Sequence, residues 1–359
     1  MGATVTTTTV TNIEQTGASL SASYTEASSV PAEVGFLYGT SSSSLTETIT
    51  CNNYSGTASS FSADVVGLSA GTTYYVQSYV VVDGQTFTGS VTSFKTAIAQ
   101  VPAVSGKSWL ELPGAVSGSD CVVNTYYGSS TTDANRNYTH CYDKSTYTSL
   151  WTAYHLNSSH MGTLSRPSKW SYSPSINTSH QVNLCSNSYN DSYSRGHMIP
   201  NASRNGNEAM QLQTFYVTNS VPQIQDSFNG GIWQNLEAAL QSIAKSEEIY
   251  IVTGVAFNKV GESKTITYTT AKDDTKSVPV PNYFYKVVLK VNKSGSTVIG
   301  ASAIGFWFEH KTYSDSYTNY AVSVDQIETW TGFDFFVNLP DSIEPTAEDN
   351  ADWSAFQSF

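Results

Sequence analysis

The stretch Tyr193-Ser194-Arg195-Gly196-His197-Met198-Ile199-Pro200 sets an arginine and a histidine two residues apart, with a glycine between them. Downstream lie Thr218-Asn219-Ser220-Val221-Pro222-Gln223 and then Phe228-Asn229-Gly230-Gly231-Ile232-Trp233-Gln234-Asn235-Leu236-Glu237. A histidine, a run of asparagines and a late glutamate, in that order, suit metal-assisted phosphodiester cleavage. Histidine takes a proton from water near neutral pH. A side-chain amide oxygen holds one face of a hydrated Mg²⁺, which prefers to keep several waters. Arginine recognises phosphate through its fixed fork of donors. A lone Arg-Gly-His would be a weak signal, since a single histidine is more often structural. Three spaced motifs in one order are a strong one.

These residues resemble the non-specific DNA/RNA endonuclease family, the ββα-metal, endonuclease G-like nucleases. Its Asp-Arg-Gly-His reads here as Ser194-Arg195-Gly196-His197, and its Asn-x-x-Pro-Gln as Asn219 to Gln223. Its Asn-x-Gly-x-Trp-x-x-Leu-Glu reads as Asn229, Gly231, Trp233, Leu236 and Glu237. The resemblance runs from about Trp109 to about Pro345, with weaker echoes at Ile249 to Gly254, Tyr283 to Val287 and Val322 to Pro340.

The resemblance implies an α+β ββα-metal nuclease domain with mixed or antiparallel sheets and helices. It also implies an Mg²⁺-dependent endonuclease, with Mn²⁺ substituting, that cuts DNA and RNA and leaves 5′-phosphates. His197 is then the general base and Asn229 the metal ligand. Glu237 holds a metal-bound water and steers protonation of the leaving oxygen, and Asn219 orients the site from a strand end. Arg195 either contacts phosphate or braces the loop that aims His197. Arg166, in Ser165-Arg166-Pro-Ser-Lys169-Trp170, resembles an upstream arginine that stabilises phosphoryl charge. Relatives often form homodimers. Two departures stand out: Ser194 replaces the family aspartate, and Gln241 stands where some relatives carry an arginine.

The chain has 359 residues, enough for two domains, and its formal charge is −12. Aromatic residues make up 13% and charged residues 13%, which favours a sizeable core over disorder. The negative charge argues against a general polyanion binder, because nucleic-acid affinity comes largely from phosphate neutralisation. The distribution of positive charge argues the other way. The four arginines (Arg136, Arg166, Arg195 and Arg204) cluster around the histidine motif, and the first lysine is Lys95. A local basic cleft on an acidic body is the expectation.

The cysteines Cys51, Cys121, Cys141 and Cys185 form no CxxC pair, so zinc and redox readings have no support. Four cysteines allow three full connectivities and the sequence does not choose among them; Cys141–Cys185 is a working expectation. No apolar run reaches the roughly 20 residues that span a membrane. The chain opens Met1-Gly2-Ala3-Thr4 directly into a Thr-rich strand, and no signal peptide is present. The expectation is a bacterial protein that is extracellular, cell-surface or periplasmic, with its export signal missing from this sequence.

Residues 3–97 read as short strands, with alternation in Ala18 to Tyr24 and Thr73 to Val82 and a hairpin turn at Asp83-Gly84. Leu68 to Val76 resembles the tyrosine corner of fibronectin type III domains, which implies an all-β immunoglobulin/fibronectin III-like sandwich. Residues 98–105 read as a linker and 106–359 as the nuclease-like domain. In that second domain, Gln213 to Thr218 reads as a strand, followed by one helix from Asp226 or Ser227 to about Lys245. On that helix Asn229 and Glu237 share a side, and Gly230-Gly231 costs about 1 kcal/mol per glycine relative to alanine. Ile249 to Val252, Tyr283 to Val291 and Val298 to Phe308 read as strands, and Val324 starts a late helix.

The alternative is a surface binding module, in which the sandwich grips a glycan or protein partner and the nuclease-like part is degenerate. A phosphodiesterase for small substrates is a third reading. The first domain has no lysine or arginine before Lys95, so spacing or attachment is its expected role.

Overall fold

The computed structural model describes residues 2–13, 17–69, 72–96, 103–116 and 120–359. The chain divides into two compact units, Met1–Ala99 and Gln100–Phe359. Most of the expected 98–105 linker, and Ala70-Gly71 of the tyrosine corner, lie outside the described residues.

In the first unit, strands β1 (Thr4–Val5), β2 (Thr9–Thr11) and β6 (Ser59–Val66) all pair with β3 (Gly17–Thr25). A second sheet runs β5 (Glu47–Cys51), β4 (Glu33–Gly39), β7 (Thr73–Val82), β8 (Gln85–Thr88), with β9 (Thr92–Lys95) also on β7. The alternation seen in β3 and β7 turns Leu20, Ala22 and Tyr24 of one sheet toward Val76, Val80 and Val82 of the other, in one shared core. The turn between β7 and β8 places Asp83 at φ 50° and Gly84 at φ 75°, which explains the glycine. The Ser69 N–H donates to the Tyr74 hydroxyl at 3.0 Å, the bond expected of a tyrosine corner. The result is the expected fibronectin III-like sandwich.

The second unit is built on one antiparallel sheet of seven strands. Its order is β10 (Cys121–Tyr127), β11 (Arg136–Asp143), β12 (Thr148–Leu156), β15 (Ile249–Ala256), β18 (Tyr283–Ser294), β19 (Thr297–Glu309), β20 (Ala321–Val322). Between β12 and β15 the chain forms the two-stranded ribbon β13 (Tyr193–His197) and β14 (Ser220–Ile224). A small pair, β16 (Tyr268–Thr269) and β17 (Val278–Pro279), follows β15. Helices are short: α1 (Glu208–Gln213), α2 (Gln234–Ile243), α3 (Val324–Thr331), α4 (Glu344–Glu348) and α5 (Trp353–Ser358).

Central strands of this sheet are buried on both faces, so they read as continuous apolar runs. Alternate residues still part cleanly. Ile249, Ile251, Phe284 and Val288 pack on one face with Phe228, Trp233 and Leu236. Tyr250, Val252, Tyr285 and Val287 pack on the other with Val324, Ile327 and Ala347. The ββα element and α2 therefore lie on one side of the sheet, and α3 and α4 on the opposite side.

Several sequence expectations need correction. Gln213 to Thr218 is the end of α1 and a turn, and the strand begins only at Ser220. Thr214 and Asn219 instead satisfy local backbone groups with their side chains. The single helix from Asp226 is broken. Asp226 (ψ 132°), Ser227 (φ 58°) and Gly231 (ψ −111°) leave helical geometry, and regular helix starts only at Gln234. The two glycines thus sit in and at the end of a kinked segment rather than inside a helix. All four cysteines are free thiols. Cys141 is buried on β11 beside Cys121, while Cys185 packs in a separate small cluster.

Candidate active site

The ribbon β13–β14 presents the Arg-Gly-His motif against the kinked segment and α2. Gly196 faces Gln223 so closely that any Cβ would strike that side chain, so the motif's central residue must be glycine. Gln223 itself is fully buried, and its amide finds no partner among the described residues. His310 holds the end of β14 by accepting from the Ile224 N–H at 2.9 Å.

These elements form an open cleft of about 540 Å³. Arg166, Trp170, Ser194, Arg195, His197, Asn229, Glu237 and Gln241 are all on its walls. Of the expected site residues, only Asn219 is absent from the lining. Asn219 is fully buried, accepts from the Ile199 N–H and donates to the Ile199 and Thr214 carbonyls. It ties the residues after His197 to the turn before β14.

The His197 ring lies between Trp170 (4.6 Å between centroids) and Phe215 (5.0 Å). The Arg195 guanidinium covers Trp170 and that of Arg166 covers Phe215, each at 5.2 Å. Two arginines thus cap the aromatic rings on either side of one imidazole. Burial first, then these two positive charges, holds the His197 pKa down to about 3. The ring is neutral at neutral pH, and its Nε2 is buried with no hydrogen-bond partner among the described residues. Arg195 also donates to the Leu184 carbonyl at 2.8 Å, so a backbone oxygen and an aromatic face brace it in place of a carboxylate.

The other two arginines do not join the cleft, which corrects the expectation of an arginine cluster there. Arg136 pairs with Glu111 at 2.6 Å, and Arg204 is completely buried on the Asn137, Ser203 and His155 carbonyls. Among the described lining residues, Arg166 and Arg195 supply its positive charge.

Asn229 is aimed by its amide nitrogen. Its Nδ2 donates to Ser194 Oγ at 3.0 Å and to Gln225 Oε1 at 3.2 Å. Its Oδ1 then has no donor among the described residues. Glu237, on the first turn of α2, has its side chain 15% exposed, and one oxygen lacks a short hydrogen bond. Lys286 on β18 is fully buried and brings its Nζ to 3.5 Å from that oxygen, while lying 4.3 Å from the Trp233 ring. Burial raises the Glu237 pKa against the pull of Lys286. Burial also lowers that of Lys286, to about 8.

The Asn229 amide oxygen and the Glu237 carboxylate both line this polar cleft, and oxygen donors suit a hard divalent cation and its waters. Sequence reasoning missed Lys286, Trp170 and the aiming role of Ser194. The one available signal was Lys286 itself, a lone charge within the apolar run of β18.

The model of the DNA/RNA non-specific endonuclease family matches residues 119–342. A nuclease of Nostoc sp. is 29% identical over 218 residues, which is 59% of this chain and 75% of that protein. Nuclease C1 of Cunninghamella echinulata is 32% identical over 152 residues, 41% of this chain and 58% of that protein. A solved EndoG/EndoGI complex aligns at 20% identity and a TM-score of 0.48, covering 62% of this chain and 89% of the solved one. This chain spans less than two thirds of most of the curated nucleases it matches.

Proposed function

Because this chain belongs to the DNA/RNA non-specific endonuclease family, a family of divalent-metal-dependent nucleases, we propose that it is an Mg²⁺-dependent endonuclease that hydrolyses DNA and RNA and leaves 5′-phosphates. Mn²⁺ substitutes for Mg²⁺ in this reading. The observation that carries it is the convergence on one cleft of a neutral imidazole, an aimed amide oxygen, a carboxylate and two guanidinium groups.

Asn229 is the residue that would hold the cation, and Glu237 one of its waters. When bound, the cation stabilises charge on the phosphoryl and leaving oxygens. The neutral His197 imidazole takes a proton from a water molecule, and that water's oxygen attacks phosphorus. The bond from phosphorus to the 3′ oxygen then breaks, and the phosphate stays on the 5′ side. Glu237, as a carboxylate, would hold a water of that cation and steer a proton from it to the departing oxygen. Arg166, exposed at the rim, meets the phosphate. Contacts to sugar and phosphate carry no base information, which accounts for low sequence preference. The sandwich acts as a spacer or attachment module in an extracellular setting, without lysine or arginine before Lys95.

The test is supercoiled plasmid and a structured RNA incubated with the purified chain and Mg²⁺, with and without chelator. The expected result is chelator-sensitive cutting of both, with 5′-phosphate ends, lost in His197→Ala at unchanged circular dichroism. Equal plasmid digestion by His197→Ala and the parent overturns the reading.

A further inference from the structure

A second cluster of acidic groups lies on the face of the sheet turned away from the cleft. Asp325 and Glu328 stand three apart on α3, and Glu348 ends α4. One carboxylate oxygen from each lies within 4.8 Å of the other two. The apolar sides of both helices pack into the core under that face through Val324, Ile327 and Ala347. The cleft residues belong with the helix and kinked segment packed on the other face.

Glu348 sets this cluster apart from ordinary surface acid. The residue is 4% exposed, and its Oε1 has no hydrogen-bond partner among the described residues. No ion pair among the described residues reaches Asp325, Glu328 or Glu348. Glu328 accepts a single backbone bond, from Phe335 N–H at 2.7 Å. Asp334 and Glu344 add further negative charge around Glu328 and Glu348. A buried carboxylate with like charges as neighbours and no donor needs either a proton or a cation.

The geometry favours a cation. Three oxygens from two helices converge on one point, and exposed Asp325 leaves that point open to water ligands. The donor set is oxygen only, without histidine or cysteine, which selects a hard ion. Ca²⁺ accepts six to eight oxygens in flexible geometry, whereas Mg²⁺ demands a near-ideal octahedron and keeps its water. We propose that Asp325, Glu328 and Glu348 form a second, structural divalent-cation site that takes Ca²⁺ and clamps α4 to α3. This site stands independently of the catalytic reading.

The test uses the full chain carrying Asn229→Ala, so that the cleft has lost its proposed ligand, stripped of metal with chelator. Calorimetric titration with CaCl₂ and melting with and without about 1 mM Ca²⁺, the range of extracellular calcium modules, are then recorded. The expected result is one bound Ca²⁺ and a melting temperature raised by several degrees. Glu348→Gln, in the same background, is expected to melt no lower than its parent without Ca²⁺ and to lose the Ca²⁺-induced rise. Asp325→Asn changes an exposed residue that does not threaten the fold, and is expected to weaken binding about tenfold or more by removing ligand charge. Absence of Ca²⁺ binding to the Asn229→Ala chain overturns the proposal. So does Ca²⁺ binding left unchanged by Asp325→Asn, or a melting temperature that responds to pH and not to Ca²⁺.

Discussion

Ser194 Oγ sits between Asn229 and the backbone of β14: it accepts from Asn229 Nδ2 at 3.0 Å and donates to the Gln223 carbonyl at 2.9 Å. The residue that departs from the family aspartate therefore aims the candidate metal ligand instead of bracing the arginine beside it. A partner that orients a metal ligand typically contributes about 10–100-fold to metal affinity. Ser194→Ala is expected to raise the Mg²⁺ concentration for half-maximal cleavage by about tenfold, with unchanged melting. A Mg²⁺ titration of plasmid nicking measures this, and an unshifted midpoint contradicts the aiming role.

Lys286 and Glu237 form a pair in which the lysine is fully buried. Removing one member of a buried pair strands the other, at a cost of about 3 kcal/mol or more. Lys286→Met is therefore expected to lower the urea midpoint. It also removes the charge that pulls the Glu237 pKa down, so the acid limb of the cleavage profile moves to higher pH. Rate profiles of parent and variant on one substrate decide the matter.

Arg166 and Arg204 answer differently to alanine. Arg166 is exposed at the cleft, so Arg166→Ala is expected to leave melting alone and cut the rate by about a hundredfold. Arg204 is fully buried on three carbonyls, and Arg204→Ala leaves those acceptors unsatisfied, costing about 3 kcal/mol or more. Melting curves beside single-turnover rates separate the two cases.

Acid stability follows from the buried imidazoles. Burial holds His140, His160 and His197 down to about 3 and His310 to about 4, with His155 lower still. Their folded values lie below the unfolded one, so the stability they contribute is present above about pH 6.5 and is lost as pH falls. Burial acts oppositely on Glu328, pushed up to about 8, and Asp334, pushed up to about 6. Their contribution is present at low pH and is lost as pH rises. Between about pH 4.5 and 6.5 the two carboxyls offset only part of the loss from the five imidazoles, and below that range only the histidines respond. Unfolding free energies from urea titrations in chelator should fall as pH drops below about 6.5 and fall more steeply below about pH 4.5, where each buried imidazole alone costs about 1.4 kcal/mol per pH unit. A value unchanged at about pH 3.5 contradicts this.

A chain that starts near Gly106 is expected to keep its cutting activity, because every lining residue of the cleft lies in the second unit. Plasmid assays on the folded truncation test this; loss of most activity would give the sandwich a direct catalytic role.

Much of the site was legible in the residues themselves. His197, Asn229 and Glu237 could be picked out because the three motifs that carry them resemble those of the nuclease family, in the same order. The strands β15, β18 and β19 were readable as apolar runs. The break at Ser227 and Gly231 was not, because the helical spacing of Trp233, Leu236 and Leu240 lies entirely beyond it and was extended back over it. The arginines misled for a related reason: closeness in sequence placed all four together, while β11 carries Arg136 away and burial claims Arg204.

The order of residues alone determined which chemistry this protein can attempt and that a β-sandwich precedes it, since motif identity and strand alternation are local properties. Tertiary structure decided which arginines reach the cleft, that Ser194 aims Asn229, and that Lys286 lies under Glu237. It also brought Glu348 back to Asp325 and Glu328. Those relations join residues far apart in the chain, and only the packing of helices on the two faces of one sheet brings them within bonding distance.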